Sequence, residues 1–308
     1  MKSRGLYGEI KANRRRSWFL AAGIALLLAL LGAVLGAAWA DPLTGLVTAW
    51  AVAVVFLTIT WYGGAQMTLA ASDARPADPE RDRVLINIVD EMALASGLQR
   101  PDIFIIDDTA PNAFATGRDP QHAAIAVTRG LYQKLDRDEL QGVIAHELSH
   151  IRNHDIRYTT LVAVTVGAIA LLADVAIRHM WWGGGPRRAR NTGAGAIMIA
   201  VALLVAILAP ISARLLQAAV SRRRETLADL SGAEMTRYPE ALARALEKIA
   251  GDTEVLEVAN RATAPLYIVD PIKEFEKRAR GLLRTHPPTA ERAARLRSLV
   301  LPDRRPGP

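Results

Sequence analysis

Long runs of apolar residues dominate the hydrophobic pattern of this 308-residue chain. The first run extends from Trp18 to Trp39 and the second from Leu43 to Tyr62, and neither contains a charged residue. A helix of about 20 apolar residues is long enough to cross a hydrocarbon core of about 30 Å. Because the runs are longer than a signal-peptide core and follow each other at once, they predict a membrane hairpin that stays attached.

Two further apolar runs lie in the second half of the chain. Tyr158–Ile177 is interrupted by Asp174, and Ala194–Ala213 contains Pro210 near its end. These runs predict either a second membrane hairpin or a pair of buried core helices. The arginines of the intervening turn, within Arg187–Arg190, oppose a full crossing because basic residues favour the cytoplasmic side. Whether this segment spans the bilayer is left open.

The remaining segments alternate between helical and strand periodicity. Helical spacing predicts helices over Arg81–Ser96, Asp136–Ile156, Leu215–Ser231, Pro239–Ala250 and Thr289–Val300. Short apolar runs predict strands at Asp102–Asp107, Asn112–Thr116 and Ala123–Thr128. The prediction is an α+β fold, mostly helical with a small sheet, plus transmembrane helices. Its segments are 1–62 (tail and hairpin), 63–157 and 214–308 (the two parts of one α+β domain), and 158–213 (the second apolar pair).

Charge and composition narrow the choice of partners and metal ligands. The chain has no cysteine, so thiolate sites and disulfides are excluded and any metal must be held by histidine and carboxylate. The net charge is +7. The N-terminal tail is basic, whereas the turn at Asp41 has no basic residue. Because basic residues favour the cytoplasmic side of a membrane, this difference predicts that the N-terminus lies in the cytoplasm. The clusters Arg14–Arg16, Arg187–Arg190 and Arg222–Arg224 flank apolar runs, so we assign them to lipid headgroups and predict no nucleic-acid partner.

The chemistry is carried by the sequence His146-Glu147-Leu148-Ser149-His150, an HExxH pattern. Side chains four residues apart lie on one face of a helix, so both imidazoles can bind one zinc ion. Glu147 is then placed to act on a metal-bound water without being a ligand. The alternative is a surface helix with two solvated histidines.

A third ligand must come from elsewhere in the chain. His154 follows His150 by four residues, but a continuing helix would carry it about 12 Å along the axis from His146. We therefore interpret His154 as a structural or supporting residue. Glu225 is the better third ligand, with Asp229 on the same helix face to orient a ligand imidazole, although an ordinary exposed acidic face is the alternative for this pair.

With these motifs, the chain resembles the HtpX-type membrane zinc peptidases, whose superfamily includes the CaaX prenyl endopeptidases. The resemblance rests on HELSH at residues 146–150, on SRRRETLAD at residues 221–229, on PNAFATG at residues 111–117 and on THPP at residues 285–288. It implies a gluzincin fold in which His146, His150 and Glu225 hold one Zn²⁺ per chain. It also implies an endopeptidase in the inner (plasma) membrane that faces the cytoplasm and cleaves misfolded or damaged membrane proteins.

The expected reaction is metal-assisted hydrolysis of a peptide bond, with Glu147 as the general base. The resemblance places His286 near the metal, where it is a candidate catalytic residue that would donate to the oxyanion, and a turn histidine is the alternative. Substrate is expected to add as a strand against Asn112–Thr116, which makes Asn112, Ala113, Phe114 and Ala115 the candidate substrate-binding residues, although Phe114 is equally a core residue.

Two other functions compete with this prediction. The first is a non-enzymatic membrane scaffold with a vestigial metal site, but the base and all the proposed ligands are present. The second is an intramembrane protease, but charged residues flank the HExxH helix, which favours a site outside the bilayer. The natural substrate, the oligomeric state and any autoinhibition cannot be read from the sequence.

Overall fold

A four-stranded mixed sheet and the helices on its faces form the part of the fold that carries the HExxH motif. The structure is a computed structural model that describes residues 42–166, 222–254 and 288–299, together with residues 15, 18, 19, 21–23, 26, 256, 263 and 266–269. The third apolar run is described up to residue 166, whereas its remainder, the whole fourth run and His286 lie outside the described residues.

The first half of the described chain contains the whole sheet. Helix α1 (Pro42–Ala71) is followed by strand β1 (Ala74–Pro76) and helix α2 (Arg83–Ser96). Strands β2 (Asp102–Ile106), β3 (Ala113–Asp119) and β4 (His122–Thr128) come next, then helix α3 (Arg129–Lys134).

The second half is helical. It consists of α4 (Arg137–Arg152), α5 (described over residues 155–166), α6 (Arg222–Thr236), α7 (Pro239–Gly251) and α8 (Thr289–Arg297). The predicted α+β class, mostly helical with a small sheet, is confirmed.

The sheet has the order β1-β2-β4-β3, with β2 and β4 parallel and the outer pairs antiparallel. Alternate residues point to opposite faces, as strand geometry requires. Ile125 and Val127 join the main core with helices α2, α4, α7 and α8, whereas Ala124 and Ala126 face a smaller cluster that includes Leu69. This arrangement leaves β3 at one edge of the sheet, beside α4.

Local sequence signals explain where several helices begin and end. Asp136 and Glu139 form a capping box at the start of α4, in which each side chain accepts a hydrogen bond from the other residue's backbone N–H. Gly97 closes α2 with a φ of 69°, a left-handed conformation that glycine adopts without steric cost. The start of α4 and the end of α2 therefore follow from local sequence signals.

The largest differences from the predictions are two helix boundaries and two short elements that were not predicted. Helix α1 continues past Tyr62 to Ala71, so the predicted limit of the second run falls within a continuous helix. Strand β1 and helix α3 are too short to show a periodic pattern and were missed. The helix predicted over Asp136–Ile156 was too long, because α4 ends at Arg152 and a new helix begins at residue 155.

Among the described residues, a single helical segment is long and apolar enough to cross a membrane. It is Trp50–Ala71, 22 residues with a mean hydropathy of 1.4, and it overlaps the second predicted run. Much of its side-chain surface is exposed, including Val55 and Ile59, whereas Thr68 and Leu69 are buried against the rest of the fold. The N-terminal part of α1 therefore presents apolar side chains outward, and the C-terminal part packs on the protein.

Candidate metal centre

Helix α4 carries the HExxH residues on the face that looks toward helix α6. His146 and His150 are one helical turn apart, and their Nε2 atoms are 3.2 Å from each other. Both imidazoles are shielded from solvent, with side-chain exposures of 1% for His146 and 16% for His150. The two rings thus point their ring nitrogens at one common point, and a surface helix with solvated histidines is not what the structure shows.

Helix α6 brings a carboxylate to the same point. The Glu225 oxygens lie 3.8 Å from His146 Nε2 and 3.7 Å from His150 Nε2. One ligand atom from each of the three residues can be chosen so that all lie within 4.8 Å of one another. Two imidazole nitrogens and one carboxylate oxygen are a donor set that catalytic zinc uses, so the residues fit a metal ion with an open coordination position.

Glu147 lies beside this group with its carboxyl buried at 2% exposure. The backbone N–H of Ala115 on β3 donates a hydrogen bond to it, which ties the acid to the sheet edge. Burial, reinforced by the nearby Glu225 carboxylate and opposed by His150 and Arg292, raises the pKa of Glu147 to about 7. An acid with a pKa near neutral can both accept and release a proton at physiological pH.

Asp229 lies one turn after Glu225 and supports the first histidine. Its Oδ1 is 3.0 Å from His146 Nδ1, so the carboxylate can hold the ring with Nε2 directed at the metal position. Arg292 of α8 donates to both oxygens of Asp229 through Nε and Nη2, at 2.9 and 2.7 Å, and its third nitrogen, Nη1, lies 3.7 Å from Glu225. This guanidinium lowers the pKa of Asp229 against the opposing effect of burial.

Arg292 was missed at the sequence level, although a signal for it exists. The side chain is fully buried at 1% exposure, and it also donates to the carbonyl oxygen of Ile268. It lies four residues before Leu296, on the face of α8 that is predicted to be apolar. A charged residue on an apolar helix face indicates a buried ionic partner, which here is Asp229.

Asp155 supports the second histidine and was also missed. Its Oδ2 is 3.0 Å from His150 Nδ1. This contact needs the break between α4 and α5, where His154 has a φ of 57°, a conformation uncommon outside glycine. The absence of glycine led to the prediction of a continuous helix, and that prediction was wrong. In the structure His154 is not one of the three grouped ligands.

The surroundings of His150 set a condition for metal binding. Burial lowers the pKa of its imidazole, but Asp155, Glu225 and Glu147 outweigh that effect and raise it to about 9. Without a metal the ring is therefore protonated at neutral pH, and a metal ion must displace that proton to bind.

The predicted substrate strand is partly covered by the chain itself. The backbone N–H of Ile268 donates to the Ala113 carbonyl oxygen at 3.0 Å, and the Asn112 side-chain amide donates to the Val269 carbonyl at 2.9 Å. Phe114 is fully buried and packs edge-on against Tyr267 with ring centroids 5.0 Å apart, so it is a core residue. Of the four residues proposed to bind substrate, Ala115 is the one that faces Glu147.

One basic residue that we assigned to lipid headgroups lies inside the protein instead. Arg224 is 4% exposed, and its guanidinium lies 5.1 Å from the centre of the Tyr158 ring. Its Nε is 4.0 Å from Asp155 Oδ1. The assignment was wrong for Arg224, because helix α6 turns this side chain toward the carboxylate that supports His150.

A glycine allows the close approach of α6 to α4. A Cβ on Gly232 would lie 3.1 Å from the backbone nitrogen of His146 and 3.3 Å from its Cα. We expect Gly232→Ala to force the helices apart and to lower the free energy of unfolding by about 1–3 kcal/mol. Thermal unfolding measures the loss of stability. Metal analysis is added because separating α6 from α4 would also move His146 away from Glu225.

Gly251→Ala is the matched control, because a Cβ there meets no atom within 4 Å. Its stability should stay unchanged or rise by up to about 1 kcal/mol. Equal stability of the Gly232 and Gly251 variants would contradict the proposed role of the close helix contact.

Comparisons with known proteins find similar sequences over nearly the whole chain. Residues 79–300 match the sequence family described as peptidase family M48. A Protease HtpX homolog from Thermoanaerobacter pseudethanolicus is 43% identical over 303 residues, which cover 98% of this chain and 100% of the relative. A Protease HtpX homolog from Streptococcus gordonii is 40% identical over 298 residues, covering 96% of this chain and 100% of the relative.

A solved structure is also similar to this chain. It is that of S. mikatae Ste24p, with a TM-score of 0.49 and 20% sequence identity. The similarity covers 92% of this chain and 65% of that chain.

Proposed function

Because the chain belongs to peptidase family M48 and is a metalloprotease of the HtpX type, we propose that it is a membrane-bound, zinc-dependent endopeptidase with a gluzincin-type site. In this proposal His146, His150 and Glu225 hold the zinc and Glu147 is the catalytic base. Asp229 and Asp155 orient the two imidazoles, and Arg292 holds Asp229 in place.

The observation that carries the proposal is the convergence of three side chains from two helices. His146, His150 and Glu225 offer ligand atoms within 4.8 Å of one another, and Glu147 lies beside them on α4. Such a cluster would be unfavourable as a purely structural feature, because buried carboxylates and imidazoles are costly unless a cation or hydrogen bonds compensate them.

In this proposal, one residue of the site carries out both proton transfers of peptide hydrolysis. Zinc at this position lowers the pKa of water and polarises the scissile carbonyl. Glu147 accepts the proton of the attacking water while the water oxygen forms a bond to the carbonyl carbon of the substrate. Glu147 then delivers that proton to the leaving nitrogen as the C–N bond breaks. Its pKa near 7 suits both steps.

Substrate binding is proposed along β3, the strand at the edge of the sheet. The start of this strand is occupied by residues 268–269, so the substrate strand would begin beside Ala115, where the edge meets Glu147. Backbone hydrogen bonds of an added strand require little of the substrate sequence, which suits unfolded or damaged membrane proteins. His286 remains a proposed oxyanion donor.

Membrane attachment is proposed through the two N-terminal apolar runs. The exposed apolar surface of α1 supports this, as does the basic tail before Trp18. We propose a multi-pass protein of the inner membrane whose catalytic domain faces the cytoplasm. A non-enzymatic scaffold is not favoured, because the residues for base and metal are all in place.

Chelation tests the proposal directly. We expect 1,10-phenanthroline to abolish cleavage of a denatured membrane protein by the detergent-purified full chain, and Zn²⁺ but not Mg²⁺ to restore it, because a His₂Glu donor set suits zinc. Cleavage products are measured by gel electrophoresis and mass spectrometry, and bound metal is measured by inductively coupled plasma emission spectrometry. Undiminished cleavage by protein with no measurable metal would rule out a metal-dependent mechanism.

A further inference from the structure

The exposed apolar surface of α1 becomes sparse after Tyr62, and Met67 is the one large apolar side chain of the helix that is exposed beyond it. Leu43 and Ile59 are 67% and 53% exposed, whereas Thr68 and Leu69 are nearly fully buried against the protein. Past Tyr62, the helix turns the polar side chain of Gln66 toward solvent. If α1 enters a bilayer, as the proposed function assumes, the headgroup layer therefore lies near residues 61 and 62.

Aromatic and basic side chains meet at this level. The guanidinium of Arg157 lies 4.8 Å from the centre of the Trp61 ring, and that of Arg118 lies 5.0 Å from the centre of the Tyr62 ring. Arg157 Nε also donates to the Arg118 carbonyl oxygen at 2.6 Å, which holds the two arginines together. Trp and Tyr are enriched at membrane interfaces, and arginine side chains extend along apolar surfaces toward headgroups.

The first apolar run begins at the same level. The Trp18 ring stacks on the Trp61 ring with centroids 5.6 Å apart. Trp18 is the first residue of that run, and the exposed Arg15 precedes it by three positions. The ends of both predicted spans on this side therefore coincide, as a membrane hairpin requires.

A cavity opens between α1, the β3–β4 turn and α5 at this position. It is lined by Thr60, Trp61, Tyr62, Ala65, Gln66, Gly117, Arg118, His122, Arg157, Thr160 and Leu161. Asp119 lies at its edge, 3.4 Å from Arg118 Nε, and its Oδ1 is 2.7 Å from His122 Nδ1. Among the described residues around the cavity, two guanidinium groups face one carboxylate, which favours an anionic ligand.

We propose that this cavity binds the phosphate of an anionic phospholipid in the leaflet that faces the catalytic domain. Guanidinium groups bind phosphate through paired hydrogen bonds, and the aromatic rings would lie along the glycerol and upper acyl chain. The bound lipid would also hold the start of α5, where Asp155 contacts His150 two residues before Arg157.

Native mass spectrometry of the full chain tests the proposal. The protein is purified in detergent with an equal mixture of phosphatidylcholine and phosphatidylglycerol, and the retained lipids are counted. We expect wild type to prefer phosphatidylglycerol, and R118Q/R157Q to retain about tenfold less of it, since each juxtamembrane basic residue contributes severalfold to anionic-lipid binding. R118K/R157K keeps the charge but loses the paired guanidinium hydrogen bonds, so its retention should lie between that of wild type and that of R118Q/R157Q.

R83Q/R100Q is the matched control, because it removes the same charge from a different cleft beside Ala77 and Ile103. It should retain phosphatidylglycerol like wild type. The single variant R118Q keeps the hydrogen bond from Arg157 to the carbonyl oxygen of residue 118, and it is used if the double variant fails to fold. It should retain about threefold less phosphatidylglycerol than wild type.

Four results would overturn the proposal. The first is unchanged phosphatidylglycerol retention in R118Q or in folded R118Q/R157Q. The second and third are a loss as large as that of R118Q/R157Q in the control variant R83Q/R100Q or in the lysine variant R118K/R157K. The fourth is displacement of the lipid by inorganic phosphate, which would assign the cavity to free phosphate. Flotation with phosphatidylcholine vesicles separates this proposal from membrane attachment. Protein that does not float contradicts the attachment, whereas protein that floats without preferring phosphatidylglycerol contradicts only the headgroup site.

Discussion

Glu147→Gln is expected to lower the rate of peptide hydrolysis by about 10²–10⁴-fold while the metal stays bound. Glutamine has the shape of glutamate but cannot accept the proton of the attacking water. Glu147 is not one of the three grouped ligands, so its replacement leaves the metal position intact. The measurement combines initial rates on a denatured membrane-protein substrate with metal content of the same preparation.

Glu234→Gln provides the matched control for this experiment. Glu234 is exposed on α6, and the same carboxylate-to-amide change there should alter neither the rate nor the metal content. Full activity of the Glu147 variant would refute the assignment of the base. Loss of metal together with activity would instead show that Glu147 is needed to build the site.

Glu225→Ala is expected to lower metal affinity by more than about 100-fold and to abolish hydrolysis as a result. It removes the carboxylate that lies 3.7 and 3.8 Å from the two imidazole nitrogens. The fold should survive, because Arg292 keeps its two hydrogen bonds to Asp229 when its 3.7 Å contact with Glu225 is lost. Competition with a chromogenic zinc chelator measures the affinity, and thermal unfolding checks the fold.

Glu225→Asp separates the charge of the ligand from its reach. It retains the carboxylate on a shorter side chain, so its affinity should lie between those of wild type and the alanine variant. If Glu225→Ala bound the metal as tightly as wild type, the proposed ligand set would be wrong, because no other carboxylate in the described residues groups with the two histidines.

The local features of the site follow from the sequence alone. The 3.6-residue period of an α-helix places His146 and His150 on one face whatever the rest of the fold does. The capping box at Asp136 starts that helix, and short apolar runs indicate strands β2 and β4. Each of these signals depends on neighbours a few residues apart, which is why sequence reasoning could find them.

The contacts that complete the site depend on tertiary packing. Glu225 meets the histidines because Gly232 lets α6 approach the backbone of α4, and Arg292 reaches Asp229 because α8 buries that face. Asp155 reaches His150 through a helix break at His154, whose positive φ no local sequence pattern announced. Sequence periodicity describes the faces of single elements, whereas packing decides which faces meet, and for this reason the supporting residues emerged only from the structure.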